Sequence, residues 1–519
     1  MRKKKKRIHK FKRLSRRFII ALMLVLQVLL LVLIGYLSTA QKDQGWVFWT
    51  FYVFVSILNA AALVHIVYVH GDPAFKVPWI IALLALPGVG VLIYLVFRTH
   101  PLPKDTQLLL RETGEKASRY FPPAEAKEKA KKDPYFNAFA LIESSSFFRL
   151  SEGNRFKYYK NGETFFPEFI ERLKSAKEFI FLEFFIVADG IIFDQIHDIL
   201  VQKAQEGVDV RFVYDDVGCF TTVSVDFYKQ LQKEGIKCYP FNKVGFLLLG
   251  FYNNRSHRKI AVIDHDYAYT GGMNLADEYA NAEERFGYWK DSMIQMEGPI
   301  ISTMIAIFLS DYDIARRKVD SSEYDRFLDH VYPTYEDGGY ALAFGTGPEN
   351  FYPLRLGELN FTEMIHAAKE TIDICTPYFI PSDELLHAIE QVALRGVRVR
   401  LFLPQIPDKK IPYLIAKYHI PYLNKVGVQV YFFTPGFNHE KTMIVDGKLA
   451  FVGSINMDYR SLVHHFENGI TIYGGEVMGD IQEDFNEMAE ASTRVPNSFS
   501  LTAWQKILVA LLSVFFPLL

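Results

Sequence analysis

The chain has 519 residues, of which 50% are hydrophobic, 15% aromatic and 23% charged; this excludes a disordered chain and allows two to four domains. The formal net charge of -1 hides an asymmetry, because residues 1–17 hold 11 Lys/Arg and no Asp/Glu, leaving 47 basic against 59 acidic side chains elsewhere. An acidic body disfavours a nucleic-acid partner. Cys219, Cys238 and Cys375 show no CxxC or Cys/His spacing, which excludes a disulfide scaffold and structural zinc.

Residues 18–37 are apolar except for Gln27, Gly35 and Tyr36, and as a helix they reach about 30 Å, the hydrocarbon thickness. Their length, and the apolar sequence that follows, predict an uncleaved anchor rather than a signal peptide. Residues 46–69 form a second apolar segment, with Trp46, Trp49 and Tyr52 placed as an interfacial belt. A third, 77–97, contains Pro78, Pro87, Gly88 and Gly90, which allow a kinked span or a re-entrant loop. The expectation is a multi-pass region in a cell membrane over 18–97, with two or three hydrophobic segments. The basic arm, 1–17, stays cytoplasmic by the positive-inside rule. A polar linker, 98–135, follows, in which AEAKEKAKKD reads as a short exposed helix.

Beyond the linker the sequence repeats itself. FIFLEFFIV (179–187) and VDVRFVYDD (208–216) read as buried strands separated by a helix. The order returns in AKETIDICTPYFI (368–380), the helix through DELLHAIEQVALRG, and VRVRLFLP (397–404). Gly207 and Gly396 sit where the two helices should stop. The predicted fold is α/β: two similar lobes near 136–335 and 336–519, each a sheet flanked by helices.

Each repeat ends in H-x-K-x4-D followed by G-[GS]-x-N: His257, Lys259, Asp264 and Asn274 in the first, His439, Lys441, Asp446, Ser454 and Asn456 in the second. His and Lys two apart on a strand face the same way, so an imidazole and an ammonium meet a phosphate together. The lysine also opposes a metal ion there. Asp264 and Asp446 belong to the candidate catalytic motif, but strand alternation puts them in the turn or on the other face, fixing a hairpin; Asp446-Gly447 is a hairpin dipeptide. Asn274 and Asn456 are candidate amide donors to phosphate. Asp291 in GYWKD and Glu467 in HHFEN, 34 and 28 residues after the histidine of their own repeat, are candidate orienters, with ordinary surface acids as the competing reading. His464 and His465 have no third metal ligand at a suitable spacing. Two such half-sites face to face supply a nucleophile and a general acid, with two lysines and two asparagines for the developing charge.

These motifs, together with YDDVG (214–218), NRSHRKIAVID (254–264), GGMNLADEY (271–279), TPYFIP (376–381), NHEKTMIVDG (438–447) and GSINMDYRS (453–461), resemble the bacterial cardiolipin synthases of the phospholipase D superfamily. The resemblance runs from about residue 70 to the end. It implies an active site between two phospholipase D-like lobes, phosphatidylglycerol as substrate, and no metal or other cofactor. It further implies transfer of a phosphatidyl group through a phosphatidyl-histidine, with His257 as nucleophile and His439 as acid and then base. Another phosphatidyltransferase or a hydrolase of the superfamily is the alternative. Nothing in the sequence addresses oligomeric state.

Overall fold

The computed structural model describes residues 45–69, 73–97, 104–243, 254–336, 338–348 and 354–516. The expected first span, 18–37, and the basic arm lie outside these residues. The helices of 45–97 form one compact unit and the described residues of 104–511 another. In the first unit, Gly45–Tyr68 is a 24-residue apolar helix. Its Trp49–Tyr68 stretch is the one candidate membrane span among the described residues. The third apolar segment is broken at Pro87–Gly88 into helices Pro73–Ala85 and Val89–Phe97. At 13 and 9 residues, or about 20 and 14 Å, neither crosses the hydrocarbon alone. They pack closely: a Cβ on Gly90 would stand 2.6 Å from the Ala82 carbonyl oxygen.

The linker is less separate than its polarity suggests. Lys104–Ala117 packs on the helix Ile301–Arg316, with Thr113 buried. The Ala126 N–H donates to Glu143 Oε2 at 2.8 Å.

The body holds two principal mixed sheets with one construction. In the first, Phe179–Phe184 lies parallel to Asp209–Asp215 and antiparallel to Lys259–Ile263. In the second, Thr371–Cys375 lies parallel to Arg398–Pro404 and antiparallel to Thr442–Val445. The parallel pairs are joined by helices Ile191–Gln205 and Asp383–Leu394. Each helix is followed by a glycine at φ +93°, Gly207 or Gly396, the left-handed stop in which a Cβ is strained. The central strands are buried throughout their length, as strands covered on both faces should be. Phe181 stacks on Phe308 of the Ile301–Arg316 helix. One boundary moves: helix Asn137–Ser145 packs on Leu356–Ala367, and strand Ser151–Glu152 pairs with Tyr340 and Ala341 of the second sheet. Residues 137–145 and 151–152, expected in the first lobe, thus pack and pair with elements of the second sheet, burying Ala138, Phe139 and Ile142.

Both motif aspartates sit just after their strand, in the left-handed region, Asp264 at φ 51° and Asp446 at φ 52°. Asp264 accepts from the N–H groups of Lys177, Glu178 and Phe179 at 2.8 Å each. Asp446 accepts from those of Lys369, Glu370 and Thr371 at 2.6 to 2.8 Å and from the Tyr135 hydroxyl at 2.6 Å. Each carboxylate pins its hairpin to the entry of the neighbouring central strand. Burial pushes the Asp446 carboxyl up, but Tyr135 and the three N–H groups outweigh it and hold it below the usual range. Asp446→Ala is expected to destabilise the body by about 3 kcal/mol, read as a lower Tm, with activity per folded molecule largely kept. Because the folded-state value is depressed, the charge-dependent part of this stabilisation is present above the unfolded-state value and lost as pH falls through the folded one; the Tm difference should therefore narrow in acid.

Candidate active site

The histidines stand just before the first residue of equivalent strands, Lys259–Ile263 and Thr442–Val445, and both are buried. Each is held by the opposite lobe. His257 N–H donates to the Phe466 carbonyl at 2.8 Å, and His439 N–H to the Lys290 carbonyl at 2.7 Å. Short parallel pairings carry these contacts, Ser256 with Phe466 and Gly436–Asn438 with Tyr288–Lys290.

The ring contacts cross in the same way. His257 Nδ1 lies 2.9 Å from Glu467 Oε2 and His439 Nδ1 lies 2.7 Å from Asp291 Oδ2. The partners are thus exchanged between repeats: the acid of each repeat serves the histidine of the other. A carboxylate on Nδ1 fixes the tautomer with the proton there, leaving the Nε2 lone pair for chemistry. Burial, followed by the charges of Lys259 and Lys441, pushes both imidazoles well below their ordinary value. Burial likewise lowers Lys259 to about 7 and Lys441 to about 8, and raises Asp291 to about 6. The site is thus a buried cluster in which two lysines and two imidazoles stand against two carboxylates.

Each lysine bends back to its own histidine: Lys259 Nζ donates to the His257 carbonyl at 2.6 Å, and Lys441 Nζ to that of His439. In both repeats the asparagine Nδ2 donates to a hydroxyl five residues on, Asn274 to Tyr279 at 2.6 Å and Asn456 to Ser461 at 3.0 Å. Asn274 Oδ1 also accepts from the Ile186 N–H at 3.0 Å, whereas Asn456 Oδ1 is buried without a partner. Asn274 therefore braces Tyr279, whose ring meets His439 edge-on. Asp264 and Asp446, grouped with the catalytic motif by sequence, lie at the far ends of their strands from the histidines, tied to backbone N–H groups; their contribution is to the hairpins.

The half-sites differ at the second motif glycine. Ser454 Oγ donates to Glu467 Oε2 at 2.5 Å. Its counterpart Gly272 has no room for any side chain, since a Cβ would stand 2.0 Å from Asp291 Oδ1. The shorter aspartate thus sits against bare backbone, while the longer glutamate reaches past a serine.

Several contributors escaped the sequence reading. His465 follows a π-helical turn, Arg460–His464, a local widening often found at functional sites. It brings one ring nitrogen within 4.8 Å of ligand atoms of His257 and Glu467, so the third group that linear spacing lacked comes from the other lobe. Burial pushes His465 down to about 3, and the two lysines oppose a cation. Behind His439, Lys290 Nζ joins Asp484 at 2.7 Å and Glu440 at 3.1 Å, and the Tyr158 hydroxyl lies between them, 2.6 Å from Glu440 Oε1 and 2.9 Å from Asp484 Oδ2. Arg258, next to His257, donates to Asp311 at 2.5 Å and to the Glu467 carbonyl at 3.0 Å. The usable signals were charges inside apolar runs: Glu183 in FIFLEFF and Asp311 in FLSDYDI.

Two similar lobes, with two His/Lys pairs meeting at buried carboxylates, define a phospholipase D-like phosphoryl-transfer protein. A family profile described as "Cardiolipin synthase, PLD-like domain" matches residues 169–294 and 361–489, and one described as "Phospholipase_D-nuclease N-terminal" matches 57–98. The chain is 30% identical to a cardiolipin synthase of Halalkalibacterium halodurans, over 92% of this chain and 96% of that protein. It is 33% identical to cardiolipin synthase 2 of Bacillus anthracis, over 82% of each, and 36% identical to an uncharacterized protein of Streptococcus mutans serotype c, over 82% of this chain and 92% of that one. A phosphatidylserine synthase structure from Haemophilus influenzae shares the fold, with a TM-score of 0.56 and 15% identity over 74% of this chain and 97% of that one. The chain belongs to the cardiolipin synthase family of phospholipase D-like proteins.

Gly272→Ala is expected to displace the Asp291 carboxylate from His439 and lower turnover by up to roughly 10⁴-fold, the loss seen when a histidine's orienting carboxylate is removed. Ser454→Gly, at the equivalent position, should cost far less. Turnover of the two purified variants in lipid vesicles checks this contrast.

Proposed function

We propose that this chain is a membrane-bound phosphatidyltransferase that joins two phosphatidylglycerol molecules into cardiolipin and glycerol. The observation that carries the reading is the crossed pair of buried imidazoles, each with Nδ1 on a carboxylate of the other lobe. Its names and coverage among relatives agree. The paired lysines suit a phosphodiester anion. The acidic body and apolar N-terminal helix favour lipid over nucleic acid. A multi-pass anchor, with the sequence segment 18–37 as a further span, completes the reading.

The first substrate phosphate binds between the lysines, with the second N–H of Asn456 as a further donor. Its negative charge raises the depressed values of the nearby histidines and lysines. His257 Nε2 attacks phosphorus; the bond to the glycerol oxygen breaks, and protonated His439 gives that oxygen its proton. Phosphatidyl-His257 remains. A hydroxyl of the second phosphatidylglycerol then loses its proton to neutral His439 and attacks phosphorus, and the P–N bond breaks. Cardiolipin leaves, and both histidines return to their starting roles. Asp291 and Glu467 act as positioning residues that stabilise each imidazolium as it forms. The near-symmetry of the half-sites makes the His257 assignment the part most directly open to trapping of the adduct.

Purified protein in phosphatidylglycerol vesicles, without added metal, should yield cardiolipin and glycerol by mass spectrometry, and neither His257→Ala nor His439→Ala should do so. Phosphatidic acid as the sole product would make the protein a hydrolase. The profile of kcat/KM should be bell-shaped. It falls below about 6 as Asp291 gains a proton, and falls above about 7 to 8 as free-enzyme Lys259 and Lys441 lose theirs. The alkaline limb of kcat should lie higher, because bound phosphate holds the ammonium protons.

A further inference from the structure

Helix Lys410–Lys425 buries Ile415, Ala416, Ile420 and Leu423 and leaves Ile411, Tyr418 and Tyr422 exposed at 45%, 47% and 37%. Their spacing, i, i+7 and i+11, puts them on one stripe. From 409 to 425 the chain carries four lysines and no acid, in a body with an excess of acids. Lys410 and Lys425 are exposed near the two ends of the stripe; Glu390 is hydrogen-bonded to the Tyr422 hydroxyl, and Asp408 lies 3.9 Å from Lys409. The helix starts within electrostatic reach of the active site. Asp408 accepts from the Tyr378 hydroxyl at 2.5 Å, Lys409 lies over the Tyr378 ring at 4.5 Å, and its charge reaches both His257 and His439. A second exposed stripe, Trp504, Ile507 and Leu511, follows a segment tied to this helix by Asn424 Nδ2 donating to the Pro496 carbonyl at 3.2 Å.

We infer that helix Lys410–Lys425 is the surface by which the catalytic body docks on an anionic lipid bilayer. Ile411, Tyr418 and Tyr422 enter the boundary between headgroups and acyl chains, and the lysines pair with anionic headgroups. Apolar and tyrosine side chains flanked by lysine are the composition an interface selects. A second copy of the chain is the less suitable occupant. Three partly exposed side chains fall well short of the roughly 800 Å² per partner that a stable interface needs, and a two-fold contact would set these lysines against each other. Docking here presents the end of the helix nearest both histidines to the lipid phase. The inference deepens the phosphatidyl-transfer reading and rests on it only for the choice of lipid.

The test uses the full chain with Tyr418→Cys carrying an environment-sensitive fluorophore; the three native cysteines are buried and should stay unlabelled. In phosphatidylglycerol vesicles the emission should shift to the blue and be quenched by lipids bearing a spin label near the headgroup, with a smaller effect in phosphatidylcholine vesicles. A label that stays water-exposed and unquenched in phosphatidylglycerol vesicles overturns docking, whatever the turnover. A blue shift in detergent that grows with protein concentration assigns the stripe to a second copy and also overturns it. The triple variant Ile411→Ser, Tyr418→Ser, Tyr422→Ser should lose about tenfold in turnover on vesicles while keeping turnover of a dispersed short-chain phosphatidylglycerol. Equal turnover on vesicles and dispersed lipid in that variant also counts against docking. An inserted label with no cardiolipin from either substrate would leave docking standing and overturn the transferase reading instead.

Discussion

The exchange of carboxylates between the lobes is the contact on which the site depends. His257 takes its orienting acid, Glu467, from the second repeat, and His439 takes Asp291 from the first. Neither repeat can assemble a working imidazole alone. The backbone repeats the exchange, since each histidine N–H donates to a carbonyl that immediately precedes the acid, Phe466 for His257 and Lys290 for His439. Ring and main chain are thus fixed by the same crossing segments. This precision is what a phosphoryl transfer needs from a protein: positioned groups and charge, with little reorganisation during reaction.

The crossing also explains why the buried charges are tolerable. A carboxylate without a partner at this depth would be costly, yet Glu467 receives His257 and Ser454, and Asp291 receives His439 and the Ser292 N–H. The lysines have their Nζ groups on main-chain oxygens of their own histidines, where burial lowers their affinity for protons. An incoming phosphodiester restores what burial took away. Substrate charge therefore completes the site, and the same logic disfavours a neutral ligand.

Much of this was legible in the sequence. The repeated strand–helix–strand order, the glycine helix stops and both His/Lys motifs rest on local periodicity and spacing, which a chain records directly. Asp291 and Glu467 were picked out as orienters, but which histidine each serves is a fact of lobe packing, invisible to counting along one repeat. The third apolar segment left two alternatives, and the break at Pro87–Gly88 follows from its own residues. The pairing of 151–152 and the packing of 137–145 with elements of the second sheet are not announced in the sequence, because a short helix and a two-residue strand carry little pattern of their own. The place of His465 is not legible along the chain, because its neighbour His257 is 208 positions away and arrives only by folding.

The crossed pairing is tested most directly by nitrogen-15 NMR of histidine-labelled protein, following the ring signals of His257 and His439 in Glu467→Gln and Asp291→Asn. The account predicts that Glu467→Gln moves the Nδ1 signal of His257 and leaves that of His439 nearly in place, and that Asp291→Asn does the reverse. A shift of the histidine in the same repeat as the altered acid, with the opposite histidine unmoved, would contradict it.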